Sequence, residues 1–409
     1  MGGRSKTGRL CCCSFSKTRF KEKEIIYNLR LTLPRLKSWK MLRQIYPLYY
    51  NTNMQYTLVI CKERNIIKNI IYKSRSVISI IIISIISVIS SMSVSASPQP
   101  SPTHIIIDSD MSTDTDDLIA IRICQQYDNE GLISLDGLML SDENDLHEGA
   151  AAAQGILDAY GFTDVPVGTS MNPNLETDLP YWDWLSKQKT TNHSIDTAVR
   201  QYRRLLSSSS DKFGILVIGY FDNIAALLQS QPDDISQKTG AQLIAEHVSF
   251  FDICGTGKGN QGPNKQYTGF ENNTCFYPSS YTSSGQFYRD IGNLHIPIYQ
   301  YTGSGSLAAQ CSVGGKDQLP ANDIVYQSFT KVGRYNGGPG YDAISAWLLL
   351  PIITDNFSKY GIVPEQYNIQ PTGNRSTAFI SVPDKDGNVT MLNMQSDGNV
   401  YRSYLDDAY

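Results

Sequence analysis

Apolar positions along this chain fall into two periods. From residue 104 onward, short runs such as HIIID at 104–108, LISLDGLML at 132–140, VPVG at 165–168, FGILVIG at 213–219, HVSFFDICG at 247–255 and IPIYQYTG at 296–303 have the length and β-branching of buried strands. Between them, apolar residues recur at helical spacing in the stretch opening at Asp116 (Leu118, Ile119, Cys124, Tyr127), in GAAAAQGILDAYG at 149–161, NIAALLQS at 223–230, ANDIVYQSFTKVG at 321–333 and DAISAWLLLP at 342–351. Strands that alternate with helices predict one α/β domain, built on a largely parallel central sheet flanked by helices. From about residue 361 the pattern shortens to alternating runs such as STAFISV and NVTML, which predict a small antiparallel C-terminal appendage.

Residues 1–75 carry seventeen Lys and Arg against three Glu, a net of +14, so in a chain of total charge −4 the remaining residues carry −18. An acidic, tyrosine-rich body of this kind lacks the basic footprint of a nucleic-acid binder. Between the two parts lies VISIIIISIISVISSMSVSA at 77–96, twenty uncharged positions preceded by Lys73 and Arg75. This is the pattern of a signal peptide core or a membrane anchor, with small residues at 93–96 suited to cleavage after Ala96. Four segments follow: a basic extension at 1–75 with no assignable role, the hydrophobic segment at 76–96, a Ser/Pro linker at 97–103 and the α/β domain at 104–409. The expected location is secreted or extracytoplasmic, with a membrane association only if 77–96 is retained. Sequons at Asn192, Asn272, Asn356, Asn374 and Asn388 suit export, and Asn374 or Asn388 in the irregular tail is the expected acceptor. Cys124, Cys254, Cys275 and Cys311 would then meet an oxidising compartment, which predicts one or two disulfides.

The densest charge lies directly after the first strand. Asp108, Asp110, Asp114, Asp116 and Asp117 fall within ten positions, and unit charges about 4 Å apart repel by roughly 1 kcal/mol in water and several times that near a protein surface. Helix capping and the helix dipole explain two of the acids, at about 0.3–1 kcal/mol each, but not five. A strand end feeding a helix start is also where ligands collect in an open α/β sheet. Ser112 breaks the pattern of a haloacid-dehalogenase-like phosphatase, and Thr113 stands where an EF-hand loop needs Gly.

The stretch IIIDSDMSTDTDD resembles the acidic signature of the nucleoside hydrolases, the inosine-uridine-preferring N-ribohydrolase family, with five residues in place of the common three between Asp-x-Asp and the Asp pair. Three further stretches resemble family motifs in order: VIGYFDNIAALL at 217–228, with Asp222 where Thr is usual and Asn223 kept; GFENN at 269–273; and GGPGYDAISAWLL at 337–349. The resemblance spans 104 to about 405 and implies a nucleoside hydrolase-like, Rossmann-related fold. It implies calcium-dependent hydrolysis of the N-glycosidic bond of ribonucleosides, an N-glycosyl hydrolase activity that gives free base and ribose. Calcium takes six to eight oxygen ligands, so acids that repel one another become a cage around a doubly charged ion.

By resemblance, Asp110, Asp117 and Asp342 are side-chain ligands and Asp222 offers its backbone carbonyl. Asp110 would also take the proton from a metal-bound water that attacks the anomeric carbon. Asp116 would bind the 2′ and 3′ hydroxyls, while Glu271 and Asn273, assisted by Asn260 or Asn264, would hold the rest of the ribose. Some family members place His before the last calcium ligand to protonate the departing base; here that residue is Tyr341. Base departure would then rest on aromatic stacking by Tyr341 or by the PYWDWLSK stretch, chiefly Trp182. The expected partner is a small-molecule nucleoside, with a homo-oligomer allowed. The missing His also permits a different class: a secreted calcium-dependent sugar- or nucleoside-binding protein of the same fold without turnover.

Overall fold

The isoleucine run forms the middle of β1 (Thr103–Ser109), which is buried from Ile105 to its end. Because successive side chains of a strand point to opposite faces, Ile105 and Ile107 join one apolar cluster and Ile106 the other. A computed structural model describes residues 101–111, 115–141, 148–170, 180–256, 290–302, 304–371, 379–395 and 398–408. Residues 1–100, including the hydrophobic segment at 77–96, lie outside them, and no helix among the described residues is long and apolar enough to cross a membrane.

After β1 come α1 (Asp116–Asn129), β2 (Ile133–Leu140), α2 (Glu148–Ala159), β3 (Val167–Thr169), α3 (Trp182–Ser186), β4 (Ile195–Thr197), α4 (Ala198–Ser208) and β5 (Phe213–Val217). Next are α5 (Asp222–Gln229), α6 (Gly240–His247), β6 (Val248–Thr256), β7 (Ile298–Thr302), α7 (Ser304–Gln310), α8 (Ile324–Lys331) and α9 (Tyr341–Thr354). A 3-10 turn (Phe357–Tyr360), β8 (Ile362–Pro371), β9 (Phe379–Pro383), β10 (Val389–Met394) and α10 (Gly398–Ala408) complete the chain.

The strands form one sheet of ten, in the order β4-β3-β2-β1-β5-β6-β7-β10-β8-β9. Every pairing from β4 through to β10 is parallel, and only β10 with β8 and β8 with β9 are antiparallel. The expected α/β class with its parallel sheet is what the chain adopts. The expected antiparallel C-terminal appendage is the β10-β8-β9 group, and it joins the main sheet at its edge through the parallel pairing of β10 with β7. Winding runs outward from β1 to β4 on one side and resumes from β5 on the other, so the order reverses between β1 and β5. That reversal opens a crevice at the carboxyl ends of the two strands.

The larger apolar cluster lies on the α1 and α9 side of the sheet. Helix α9 is buried nearly all round, from Asp342 to Leu349, which accounts for its continuous apolar run in place of an amphipathic stripe. It ends at Asp355, whose φ of 48° lies in the left-handed region. The second cluster packs α4, α5 and α6 on the opposite face. Here Arg203 of α4 is 1% exposed, its guanidinium forked onto Asp233 at 2.9 and 2.8 Å and donating also to Ser230 Oγ and the carbonyls of Ser236 and Lys238.

Among the described residues no disulfide joins Cys124, Cys254 and Cys311 to one another. Cys124 on α1, Cys254 on β6 and Cys311 just past α7 are each buried; Cys254 Sγ donates to Asp342 Oδ1 at 3.3 Å and Cys311 Sγ to the Gly398 carbonyl at 3.2 Å. Cys275 lies outside the described residues.

Candidate active site

Three of the expected ligands meet at the β1/β5 crevice. Asp110 follows the end of β1, Asp117 sits in the first turn of α1 and Asp342 in the first turn of α9, and one carboxylate oxygen from each lies within 4.8 Å of the others. All three are at most 1% exposed. Residues 110 and 117 lie far from 342 in sequence, and they meet it because α9 packs along α1, which brings the two helix starts together.

Neighbouring groups hold these acids in place. Ser109 Oγ donates to Asp117 Oδ1 at 2.7 Å, and the Cys254 thiol donates to Asp342 as above. Asp116 is 2% exposed, and its Oδ2 accepts the backbone N–H of Asp342 at 3.1 Å, so the expected ribose-binding acid and a cluster acid form one unit. Arg334 Nη1 reaches Thr115 Oγ1 at 3.0 Å, tying the loop before α9 to the residue before Asp116. That loop turns at Gly337, whose φ of 94° and whose approach to the Val313 carbonyl, where a Cβ would come within 2.4 Å, admit only glycine.

The other expected residues are placed as follows. Asp222 opens α5 and is half-buried, and its carboxylate is not in the group formed by Asp110, Asp117 and Asp342. Tyr341 is half-buried at the start of α9, and its carbonyl accepts from the Tyr301 hydroxyl at 3.0 Å. Trp182 is 5% exposed and packs in the larger apolar cluster, while the neighbouring Tyr181 hydroxyl donates to the Met111 carbonyl, one residue past Asp110. The stretch around Trp182 is thus helix α3 and core, fastened to the acidic loop through Tyr181. Asn260, Asn264, Glu271, Asn273 and Asp114 lie outside the described residues.

One acid of the motif behaves differently. Asp108 is fully buried on the other face of β1, where its Oδ2 accepts from the Tyr202 hydroxyl at 2.8 Å and its Oδ1 from Asn223 Nδ2 at 3.0 Å. Its carboxyl is raised to about 7, chiefly by burial, with nearby Asp222 adding to the rise and the hydrogen bonds from Tyr202 and Asn223 opposing it. Period-two alternation along β1 sets Asp108 on the face of Ile106, but it would set Asp110 there too, so the sequence does not separate the two. No sequence pattern marked Cys254, Tyr202 or Arg334.

The cluster suits a hard cation. Three buried carboxylates within 4.8 Å of one another offer oxygen ligands only, the donor set of calcium, magnesium or manganese. Unneutralised, such a group repels itself strongly in a crevice shielded from water.

No protein family model matches the chain, and no curated protein does. Solved structures do. The effector protein XOO4466 aligns over 76% of this chain and 93% of its own at 16% identity and a TM-score of 0.54. Type III effector protein XopQ, complexed with adenosine diphosphate ribose, aligns over the same shares at 15% identity and 0.53. An inosine-guanosine nucleoside hydrolase aligns over 75% and 98% at 11% identity and 0.50. At these identities the likeness is one of fold, and the chain has a nucleoside hydrolase-like fold.

Proposed function

We propose that the chain is a calcium-dependent N-glycosyl hydrolase that splits ribonucleosides into free base and ribose. The observation that carries this reading is the meeting of Asp110, Asp117 and Asp342 within 4.8 Å, all buried, at the point where the sheet order reverses. Asp110, Asp117 and Asp342 would hold the ion, with the Asp222 carbonyl as a further ligand. When bound, the cation would acidify a water molecule and polarise the vicinal ribose hydroxyls.

The chain's own residues do the rest. The Asp110 carboxylate accepts a proton from water as its oxygen bonds to C1′, and the electron pair of the C1′–N bond leaves with the base, which takes a proton from solvent. Asp116, locked to the Asp342 N–H, binds the 2′ and 3′ hydroxyls and orients the sugar as it flattens. Asn260, Glu271 and Asn273 hold the remaining ribose, and Tyr341 borders the base. In this reading the body is exported behind the 77–96 segment and cleaved near Ala96. The assay is release of reducing sugar and free base from a panel of purine and pyrimidine ribonucleosides, with calcium or with excess chelator. No product from any of them in calcium would reject the hydrolase.

A second reading has its own support. The likeness to XopQ complexed with adenosine diphosphate ribose, together with Tyr341 in place of a general acid, suits a calcium-dependent binder of ribose-containing ligands that turns nothing over. Calorimetric binding without product in the same panel would select it.

A further inference from the structure

Asp108 belongs to the acidic motif but turns away from the other acids, and its contacts converge on the opposite wall of the crevice. Its carboxylate takes hydrogen bonds from two donors, Tyr202 on α4 and Asn223 in the first turn of α5. Asn223 Nδ2 also donates to the Leu140 carbonyl at the end of β2, at 3.2 Å. The Asp108 backbone carbonyl accepts from the N–H groups of Ile218 and Gly219, at 2.8 and 3.1 Å. Residues 218–223, which link β5 to α5, are thus fastened at both ends to a single residue.

That link lies directly on Asp110. A Cβ at Gly219 would come within 2.6 Å of the Asp110 backbone nitrogen and 2.3 Å of Ser141 Oγ, so the two backbones touch with no room for a side chain. Ser141 Oγ spans the same seam: it donates to the Ser109 carbonyl at 3.1 Å and accepts the Tyr220 N–H at 2.9 Å. We propose that Asp108 is a positioning residue whose carboxylate fixes Asn223 and thereby clamps the 218–222 turn against the backbone of Asp110. The clamp sets where Asp110 and the Asp222 peptide sit relative to Asp117 and Asp342. This inference rests on the cation-site reading above.

The test uses terbium as a luminescent stand-in for calcium, with the whole protein. Asp108→Leu keeps the branched heavy-atom skeleton and removes both acceptors, and terbium affinity should fall about 10- to 100-fold, the usual cost of losing an outer-shell partner. Excess calcium should restore most of kcat, which a merely structural loss would not allow. Asp108→Asn should bind terbium nearly as the wild type does, because its carbonyl still accepts from Asn223 and its amide donates to a Tyr202 hydroxyl that can turn to accept. Where Asp108→Leu does not fold, Tyr202→Phe removes one of the two bonds and should weaken terbium binding measurably. Wild-type affinity in a folded Asp108→Leu or in Tyr202→Phe would overturn the clamp while leaving the cation site standing. A wild-type protein that binds neither terbium nor calcium would overturn the cation site and the clamp with it.

Discussion

Replacing Asp117 by Asn should change the sign of its effect on stability according to whether calcium is present. With one oxygen from each of Asp110, Asp117 and Asp342 inside 4.8 Å, each ionised pair repels by about 3.5 kcal/mol at an effective dielectric of about 20. Neutralising one acid removes two of the three pairs, about 7 kcal/mol if all stay charged. They will not all stay charged: protonating a carboxyl of ordinary pKa at pH 7 costs only about 4 kcal/mol, which caps the relief. About 1 kcal/mol of favourable interaction with the α1 dipole is lost as well, while an Asn carbonyl still accepts from Ser109 Oγ. In chelator the variant should therefore be more stable than wild type by about 1–3 kcal/mol, several degrees in melting temperature. In excess calcium it should be less stable, having lost a ligand. Differential scanning fluorimetry of both proteins, with calcium and with chelator, measures all four states. A wild-type melting temperature indifferent to chelator, or a variant destabilised equally in both, would refute the cage.

Asp110→Asn should lower kcat by about 10²- to 10⁴-fold with calcium binding largely kept, whereas Asp116→Ala should raise KM and narrow the difference between a ribonucleoside and its 2′-deoxy counterpart; steady-state kinetics on both substrates separates the two. Arg203→Ala should destabilise the fold by about 3–5 kcal/mol in urea titration, because it leaves Asp233 and several acceptors without their buried cation. The Arg203 guanidinium holds the Asp233 carboxyl down to about 2, so in wild type this contribution is complete above about pH 4 and fades as pH falls to 2; the variant should show a flatter acid limb. If the chain is exported, glycans should appear at Asn192 and Asn356, which are exposed, before half-buried Asn388, whose amide lies 3.0 Å from where a Cβ on Gly292 would be; peptide mass mapping after glycosidase treatment reads the occupancy.

Local pattern determined much of this protein. Three isoleucines running into an acidic stretch read as a buried strand feeding a polar loop, and the parallel sheet follows from strands that alternate with helices. The acidic loop could also be placed at a ligand crevice, since that depends on the order of neighbouring elements. Helix α10 and the pairing of β10 with β7 were not legible, because the tail's short runs look alike whether they form a separate ribbon or extend a sheet edge. Trp182 was equally ambiguous: an aromatic in a polar stretch suits a platform or a core, and only packing against the larger cluster made it core. Which acids meet was decided by tertiary structure. Strand alternation sends Asp108 to one face, but only the packing of α9 along α1 brings Asp342 to Asp110 and Asp117. The thiol on Asp342 and the Tyr202 hydroxyl on Asp108 are contacts across 88 and 94 residues. No local period encodes them, because hydrogen-bond partners at that separation are chosen by how helices settle on the sheet.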